Sequence, residues 1–408
     1  MLILLNQRGT QMFKHNHLNS RVLFWTLLVI IVVYSGIASI KIIKWQLYTW
    51  LPQYWSDQLN SQPRLAENEH HIIFTMVDHY EPGENALESV KNNEEWLKKY
   101  EPVAQEIRDS YGNPFKYTWF YAYDQANDQV MRRLSQSVYA GLGEIELHWH
   151  HPQYDNKTFD KELEQAISWF KQYGAMVSRP LPAKAQFAFI HGNWALDAST
   201  EKCNVTSEIS LLQKHGGYMD MTFSTIGVNA QPVNFINRLY YVEDSPQAKS
   251  YDKGVEVEAN KPVDNKFLIF QGPMGFNWKL EIEYGAVESY SLPTRERVEK
   301  WFDANIHVKN KPEWTFIKVY SHGIQSSDIV SDHLTEMLQY LLAVSSERNS
   351  KLHFMTAREA YNVVKAAEAG LQGDPELYRD FLIAPPLNTV LPIDSILTMN
   401  KPASKMKL

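Results

Sequence analysis

Val22 to Ile40 (VLFWTLLVIIVVYSGIASI) is nineteen residues without a charge. At ~1.5 Å per residue a helix of that length spans roughly 28 Å, close to the hydrocarbon thickness of a bilayer. A buried core helix is the competing reading, but a core helix is seldom so uniformly apolar. A cleaved signal peptide is the other, since Ser35 to Ser39 is rich in small residues. The run is longer than a usual signal core, and no clear cleavage site follows. The expectation is an uncleaved anchor over residues 22–43.

Charge gives its orientation. Arg8, Lys14 and Arg21 precede the span with no acid among them, and only Lys41 and Lys44 follow it closely. The bias favours a cytoplasmic segment 1–21 and sends the rest of the chain outward, which in a bacterium means the inner membrane with a periplasmic domain. The remaining residues carry 35 basic against 47 acidic side chains, so this domain is acidic. That excludes broad nucleic-acid binding and electrostatic adsorption to anionic lipid. The chain holds one cysteine, Cys203, which excludes a disulfide framework and any cysteine-rich zinc module. We read that thiol as incidental.

Residues 44–70 are aromatic and polar with two prolines and read as a juxtamembrane linker. From 71 the chain alternates short apolar runs with helical patterns. Strands are expected at 72–77, 115–123, 144–148, 186–190 and 315–320. Helices are expected near 86–110, 125–137, 158–173, 327–347 and 356–370. Such alternation predicts an α/β fold with a parallel sheet over 71–385. Residues 240–300 break the alternation and read as an irregular, hairpin-bearing insertion. The tail 386–408 reads as loosely ordered.

Polar residues gather just past three of the predicted strands, where α/β folds place their reactive groups. Asp78-His79-Tyr80-Glu81 follows the first, and His148, His150 and His151 end the third. Ser321-His322-Gly323 follows the strand at 315–320. Imidazoles with a carboxylate form the donor set that Zn²⁺ prefers, with other first-row metals also fitting. In an extended segment His148 and His150 share one side, and His151 faces away unless the strand has ended. Asp78 leaves an apolar strand and is a candidate proton acceptor, with His322 as its donor counterpart. Glu81 reads as a solvent-facing residue as readily as a functional one. His191, Asn193 and Trp194 combine polar groups with an aromatic face suited to a sugar, and Asp220 could orient a histidine. Thr356 with Glu359 fits a helix capping box, so His353 and Arg358 read as structural. Asn156-Lys157-Thr158 and Asn204-Val205-Thr206 match the glycosylation pattern, which recurs by chance.

These strings resemble motifs of the polysaccharide deacetylase superfamily, the NodB-like carbohydrate esterases. FTMVDH (74–79) is similar to its first motif, an apolar strand ending in an acidic pair. GEIELHWHH (143–151) is similar to its second, in which a glutamate precedes a metal histidine by four positions, as Glu144 does His148. KVYSHG (318–323) is similar to its last, which carries the catalytic histidine. HGNWALD (191–197) and GYMDMTFS (217–224) resemble the third and fourth motif regions in position. The resemblance spans about residues 71–385. It implies a distorted (β/α)7-type barrel, a metal-dependent deacylase of a polysaccharide and a divalent ion, most simply zinc. It further implies Asp78 as base, His322 as catalytic histidine and a ligand set of His148 with His79 or Asp78 and with His150 or His151, of which His79, His148 and His150 are the set taken here. The chain departs from the pattern where His79 replaces the second acid and where Pro152 stands four past His148. A non-catalytic carbohydrate-binding subunit on the same barrel and a glycoside hydrolase built on paired carboxylates are the alternatives.

Overall fold

In a computed structural model of the chain, residues 14–59, 69–276 and 281–400 are described. Seven of the eight parallel strands of one sheet lie side by side along a single path. They are β1 (His70–Tyr80), β2 (Tyr117–Ala122), β3 (Gly143–Trp149), β4 (Phe187–His191), β5 (Gly217–Asp220), β8 (Leu268–Phe270) and β11 (Trp314–Ser321). Their spatial order is β11-β1-β2-β3-β4-β5-β8. β6 (Leu239–Val242) and β7 (Gly254–Glu256) extend the β8 edge antiparallel, and β12 (Ser350–Phe354) pairs with β1. A small ladder joins β9 (Gly275–Phe276) and β10 (Ile282–Glu283). Helices α3 (Ala86–Glu106), α4 (Asp128–Tyr139), α5 (Asn156–Gln172), α6 (Glu208–Lys214), α7 (Arg295–Asp303) and α8 (Leu334–Glu347) follow or link these strands. The fold is therefore α/β, barrel-like and parallel. Among the described residues no ladder joins β8 to β11, so the barrel is distorted.

Both faces of the sheet are covered, which parallel strands require. The period of two along each strand sorts the side chains. Ile72, Phe74, Met76 and Tyr80 of β1 enter the outer layer with Ile145, Leu147 and Trp149 of β3. Ile73 and Val77 enter the inner layer with Phe120, Ile190, Phe316 and Tyr320. The inner layer is filled by α9 (Ala357–Glu368), buried along its whole length. Thr356 caps it through the expected capping box with Glu359. Arg358 forks onto Glu144 at 2.7 and 3.0 Å, and Ala357 N–H donates to Thr118 Oγ1 at 2.9 Å. These contacts seat α9 at the N-terminal end of the strands and leave their C-terminal ends for chemistry.

Three expectations change. The insertion 240–300 adds a parallel strand, β8, to the main sheet beside antiparallel β6 and β7, because Phe267 to Phe270 is too short a run to read as a strand without its neighbours. The segment after the anchor is a helix, α2 (Leu47–Leu59), docked on the domain. Its Trp50 stacks on Phe276 at 5.6 Å, and Asp57 meets Arg238 at 3.4 Å. The tail forms α10 (Leu387–Val390) and α11 (Ile393–Met399), whose Leu387 and Ile396 are buried against Val177. Residues 60–68 and 401–408 of the expected linker and tail lie outside the described residues. The remaining helix, α1 (Lys14–Lys44), contains a 23-residue span, Val22–Lys44, of mean hydropathy 2.3 with no part of its window buried. It is long and apolar enough to cross a membrane.

Candidate metal centre

Four imidazoles converge at the C-terminal ends of β1, β3 and β11. The His79 ring centroid lies 4.8 Å from that of His148 and 4.6 Å from that of His322. His150 lies 4.5 Å from His148. Strand alternation is the cause: His79, His148, His150 and His322 all follow inward-facing positions of their strands.

A carboxylate stands at the centre. Glu81 Oε1 is 3.3 Å from His148 Nε2, 3.4 Å from His150 Nε2 and 3.9 Å from His322 Nε2. Gln325 donates to its other oxygen at 2.6 Å. Burial pushes the Glu81 carboxyl up, but hydrogen bonds from His148 and His150 outweigh it and hold the group well below the usual carboxylate range.

The opposite ring nitrogens are tied to the protein. His148 Nδ1 meets Ile190 O at 2.9 Å, and His322 Nδ1 meets Glu288 at 2.7 Å. His150 Nδ1 lies 3.3 Å from Asp124 Oδ2. The hydrogen-bonded ties of His148 and His322 turn their Nε2 atoms toward Glu81, the arrangement that orients metal-binding histidines. Glu288 is buried and also accepts the His322 backbone N–H at 2.9 Å and the Ser326 hydroxyl at 2.6 Å. Gly192 makes room for the His150 ring, since a Cβ there would lie 2.4 Å from it. Candidate donor atoms of His79, Glu81 and His322 lie within 4.8 Å of one another, as do those of Glu81, His148 and His150. Two imidazoles and a carboxylate in each set, sharing Glu81, fit a borderline divalent ion such as Zn²⁺.

Asp78 is elsewhere. β1 runs through Tyr80, beyond the expected end at 77, so Asp78 is still in the strand and faces the outer layer. Its Oδ1 accepts Gly323 N–H at 2.6 Å, and its Oδ2 is buried without a partner. Burial raises its pKa well above the usual aspartate value. These surroundings hold the turn that carries His322 and set the Asp78 carboxyl behind that turn, apart from the donor sets that the imidazoles form.

The other expected residues divide. His191 and Asp220 are buried, 1% and 0% exposed, so the structure does not offer them to a sugar. Asp220 accepts from Thr222 N–H at 2.9 Å and from its hydroxyl at 2.7 Å, and burial pushes it up to about 7. Thr222 Oγ1 in turn accepts His191 N–H at 2.9 Å, so Asp220 supports a backbone rather than a ring. Asn193 and Trp194 line an open cavity of about 730 Å³ that none of the clustered imidazoles lines.

Glu288 and Asp124 carried no sequence signal, because each reaches its histidine from a distant segment. Glu81 had one. It stands two positions after His79, the spacing that puts two side chains on one face of an extended chain.

No family model matches the chain, and no curated protein matches it. Among solved structures it is similar to a "putative glycoside hydrolase/deacetylase" from Parabacteroides distasonis. The two are 11% identical with a TM-score of 0.33, over 71% of this chain and 70% of that one. A likeness of that strength carries no argument about chemistry.

Proposed function

We propose that the chain is a membrane-tethered, metal-dependent hydrolase that removes acyl groups from an envelope or extracellular polysaccharide. The observation supporting this most is the convergence of three Nε2 atoms on Glu81 Oε1 at 3.3, 3.4 and 3.9 Å. On this reading His79, His148 and His150 hold one divalent ion, most simply Zn²⁺. When bound, such an ion polarises an acyl carbonyl and makes water acidic enough to ionise near neutral pH.

The remaining work falls to the chain's own groups. Glu81 accepts the proton of the attacking water, in place of Asp78. With His148 and His150 binding an ion through Nε2, neither ring would donate to Glu81, and the interactions that hold its carboxyl low would be gone. His322 delivers a proton from Nε2 to the departing nitrogen or oxygen. Glu288 keeps the His322 Nδ1 proton in place and stabilises the ring when charged, a pairing that general acid–base catalysis exploits. Asn193 and Trp194 contact the glycan along the neighbouring cavity. The anchor sets the location: residues 22–43 in the inner membrane, residues 71–385 in the periplasm.

The test is acetate release from acetylated glucosamine oligomers by the full chain in detergent, with and without a chelator. Chelator-sensitive release that Zn²⁺ restores supports the reading. Hydrolysis indifferent to the chelator, or glycan binding by a folded protein that releases no acetate, sinks it.

A further inference from the structure

On the other face of the sheet a second cluster has formed. The alternation that turns His148 and His150 inward turns His151 outward, beside Trp149 and Phe159, with ring centroids 5.4 and 4.8 Å away. His191, the last residue of β4, shares the outward parity of Phe187 and Phe189. Cys203 comes from the loop before α6 and Glu208 is the first residue of α6. All four side chains are buried.

We propose that His151, His191, Cys203 and Glu208 form a second divalent-cation site, structural in character and of the donor class that takes Zn²⁺.

Three observations carry this. The spacings come first. His151 Nε2 is 2.9 Å from His191 Nε2 and 3.1 Å from Glu208 Oε1, and His191 Nε2 is 3.3 Å from the same oxygen. Cys203 Sγ lies 3.9 Å from His151 Nε2 and 3.8 Å from Glu208 Oε2. Zinc bonds of ~2.0–2.3 Å in a tetrahedron put ligand atoms roughly 3.3–3.6 Å apart, which is the scale of this cluster.

The tautomers come second. His151 Nδ1 faces Pro152 O at 2.8 Å, and His191 Nδ1 faces Gly192 O. A proton on each Nδ1 leaves two Nε2 lone pairs pointed at one another, a repulsion that a shared cation removes. The cluster of His71, His353 and Asp374 shows the contrast. There His71 Nδ1 meets His353 Nε2 at 2.9 Å while His353 Nδ1 meets Glu376 at 3.0 Å, a hydrogen-bonded chain that is complete without an ion.

The thiol environment is third. Val205 N–H points at Cys203 Sγ at 3.4 Å, and Asp197 N–H donates to Glu208 Oε2 at 2.6 Å. Burial and the adjacent Glu208 push the thiol up, with the Val205 N–H working against them, so Cys203 ionises here only with a cation beside it. Cys203 also lines the 730 Å³ cavity, which gives an ion a way in.

Loading balances in charge. With both imidazoles neutral, Glu208 ionised and Cys203 a thiol, coordination of M²⁺ releases the one thiol proton and leaves two imidazoles, a thiolate and a carboxylate around the ion, neutral in sum. All four donors are protein groups, as in closed structural sites. The ion would pin the loop after β4 and the start of α6 to the sheet, and so shape the cavity wall that carries Asn193 and Trp194.

Cobalt separates this site from the first. Cys203 is the chain's one sulfur thiol, and the inner cluster has none. Metal-free full-length protein in detergent, loaded with Co²⁺, should show a near-ultraviolet thiolate-to-cobalt charge-transfer band. Cys203→Ser should abolish the band, and His191→Gln should cost one metal equivalent per chain. His148→Ala should leave the band intact, whatever becomes of the inner site. Circular dichroism checks that each variant is folded. A folded protein that takes up no cobalt, or takes it up without the band, overturns the proposal. So does a band that His148→Ala removes while His191→Gln spares it.

Discussion

Gly323 and Asp78 form a latch behind the candidate acid, and its size can be worked out. A Cβ on Gly323 would lie 2.6 Å from Asp78 Oδ2, 3.0 Å from Trp96 Nε1 and 3.2 Å from Trp96 Cζ2. Asp78 and Trp96 are both buried, and Asp78 is itself fastened to Gly323 N–H at 2.6 Å. Neither neighbour can give way by the half ångström or more that ordinary contact requires. In Gly323→Ala the turn must therefore lift, at about 1–3 kcal/mol for overpacking. The weakened hydrogen bond adds about 1 kcal/mol. For a domain of this size that total lowers Tm by roughly 3–6 °C. The lifted turn also displaces His322, and a 1 Å misplacement costs about 10²-fold in rate. Inner-site metal held by His79, His148 and His150 should be unchanged.

A double-mutant cycle isolates the contact. In an Asp78→Ala background the nearest obstacle is gone, so Gly323→Ala should cost at least about 1 kcal/mol less. Asp78→Asn keeps the acceptor oxygen and should retain activity within about tenfold. Thermal unfolding and acetate release measure both. Additivity of the two substitutions within about 0.5 kcal/mol would refute the latch. A 10²–10⁴-fold loss in Asp78→Asn would return Asp78 to the role of base.

Glu81→Gln should lower turnover about 10²–10⁴-fold with inner-site metal retained; loss of the metal instead would make Glu81 a ligand. Removing one partner of the buried Glu144–Arg358 pair, as in Glu144→Ala, should destabilise by about 3–5 kcal/mol in thermal or denaturant unfolding. Glu146 is buried, accepts from Tyr218 at 2.9 Å and from Ala188 N–H at 2.7 Å, and burial pushes its pKa up to about 8. Its folded value exceeds the unfolded one, so its stability contribution is complete below about pH 4.5 and is lost as pH rises toward 8. Glu146→Gln should accordingly raise Tm more at pH 8 than at pH 5. A reporter active only in the periplasm, fused after residue 400, should be active; a silent fusion beside an active cytoplasmic reporter would reverse the orientation.

Much of the fold follows from local pattern. The apolar span, the strands at 72–77, 144–148, 186–190 and 315–320, and the capping box at Thr356 are each set by short-range periodicity. β8 escaped because a three-residue strand between irregular segments is defined by its partners β5 and β6. The docking of α2 escaped for a similar reason, since Trp50 and Tyr54 read as part of a juxtamembrane linker until Phe276 is placed beside them.

Site legibility turned on strand length. Alternation correctly set His148 and His150 apart from His151. The same rule misplaced Asp78, because β1 extends past Val77 through Tyr80 and keeps its pleat for those extra residues. Glu288, Asp124 and Glu208 were invisible, since each is brought to its histidine by tertiary folding alone. Cys203 and His191 looked like a stray thiol and a glycan contact because nothing in the sequence places them side by side.

The central claim, a divalent ion at the inner imidazole cluster that hydrolysis requires, is tested most directly by one comparison. Zinc per chain and acetate release are measured together for the full-length protein, His148→Ala and His215→Ala. His215 lies outside the cluster, paired with Asp160 at 2.7 Å. The account predicts that His148→Ala loses one zinc equivalent and its chelator-sensitive activity together, and that His215→Ala loses neither. Equal zinc and equal activity in all three proteins would contradict it.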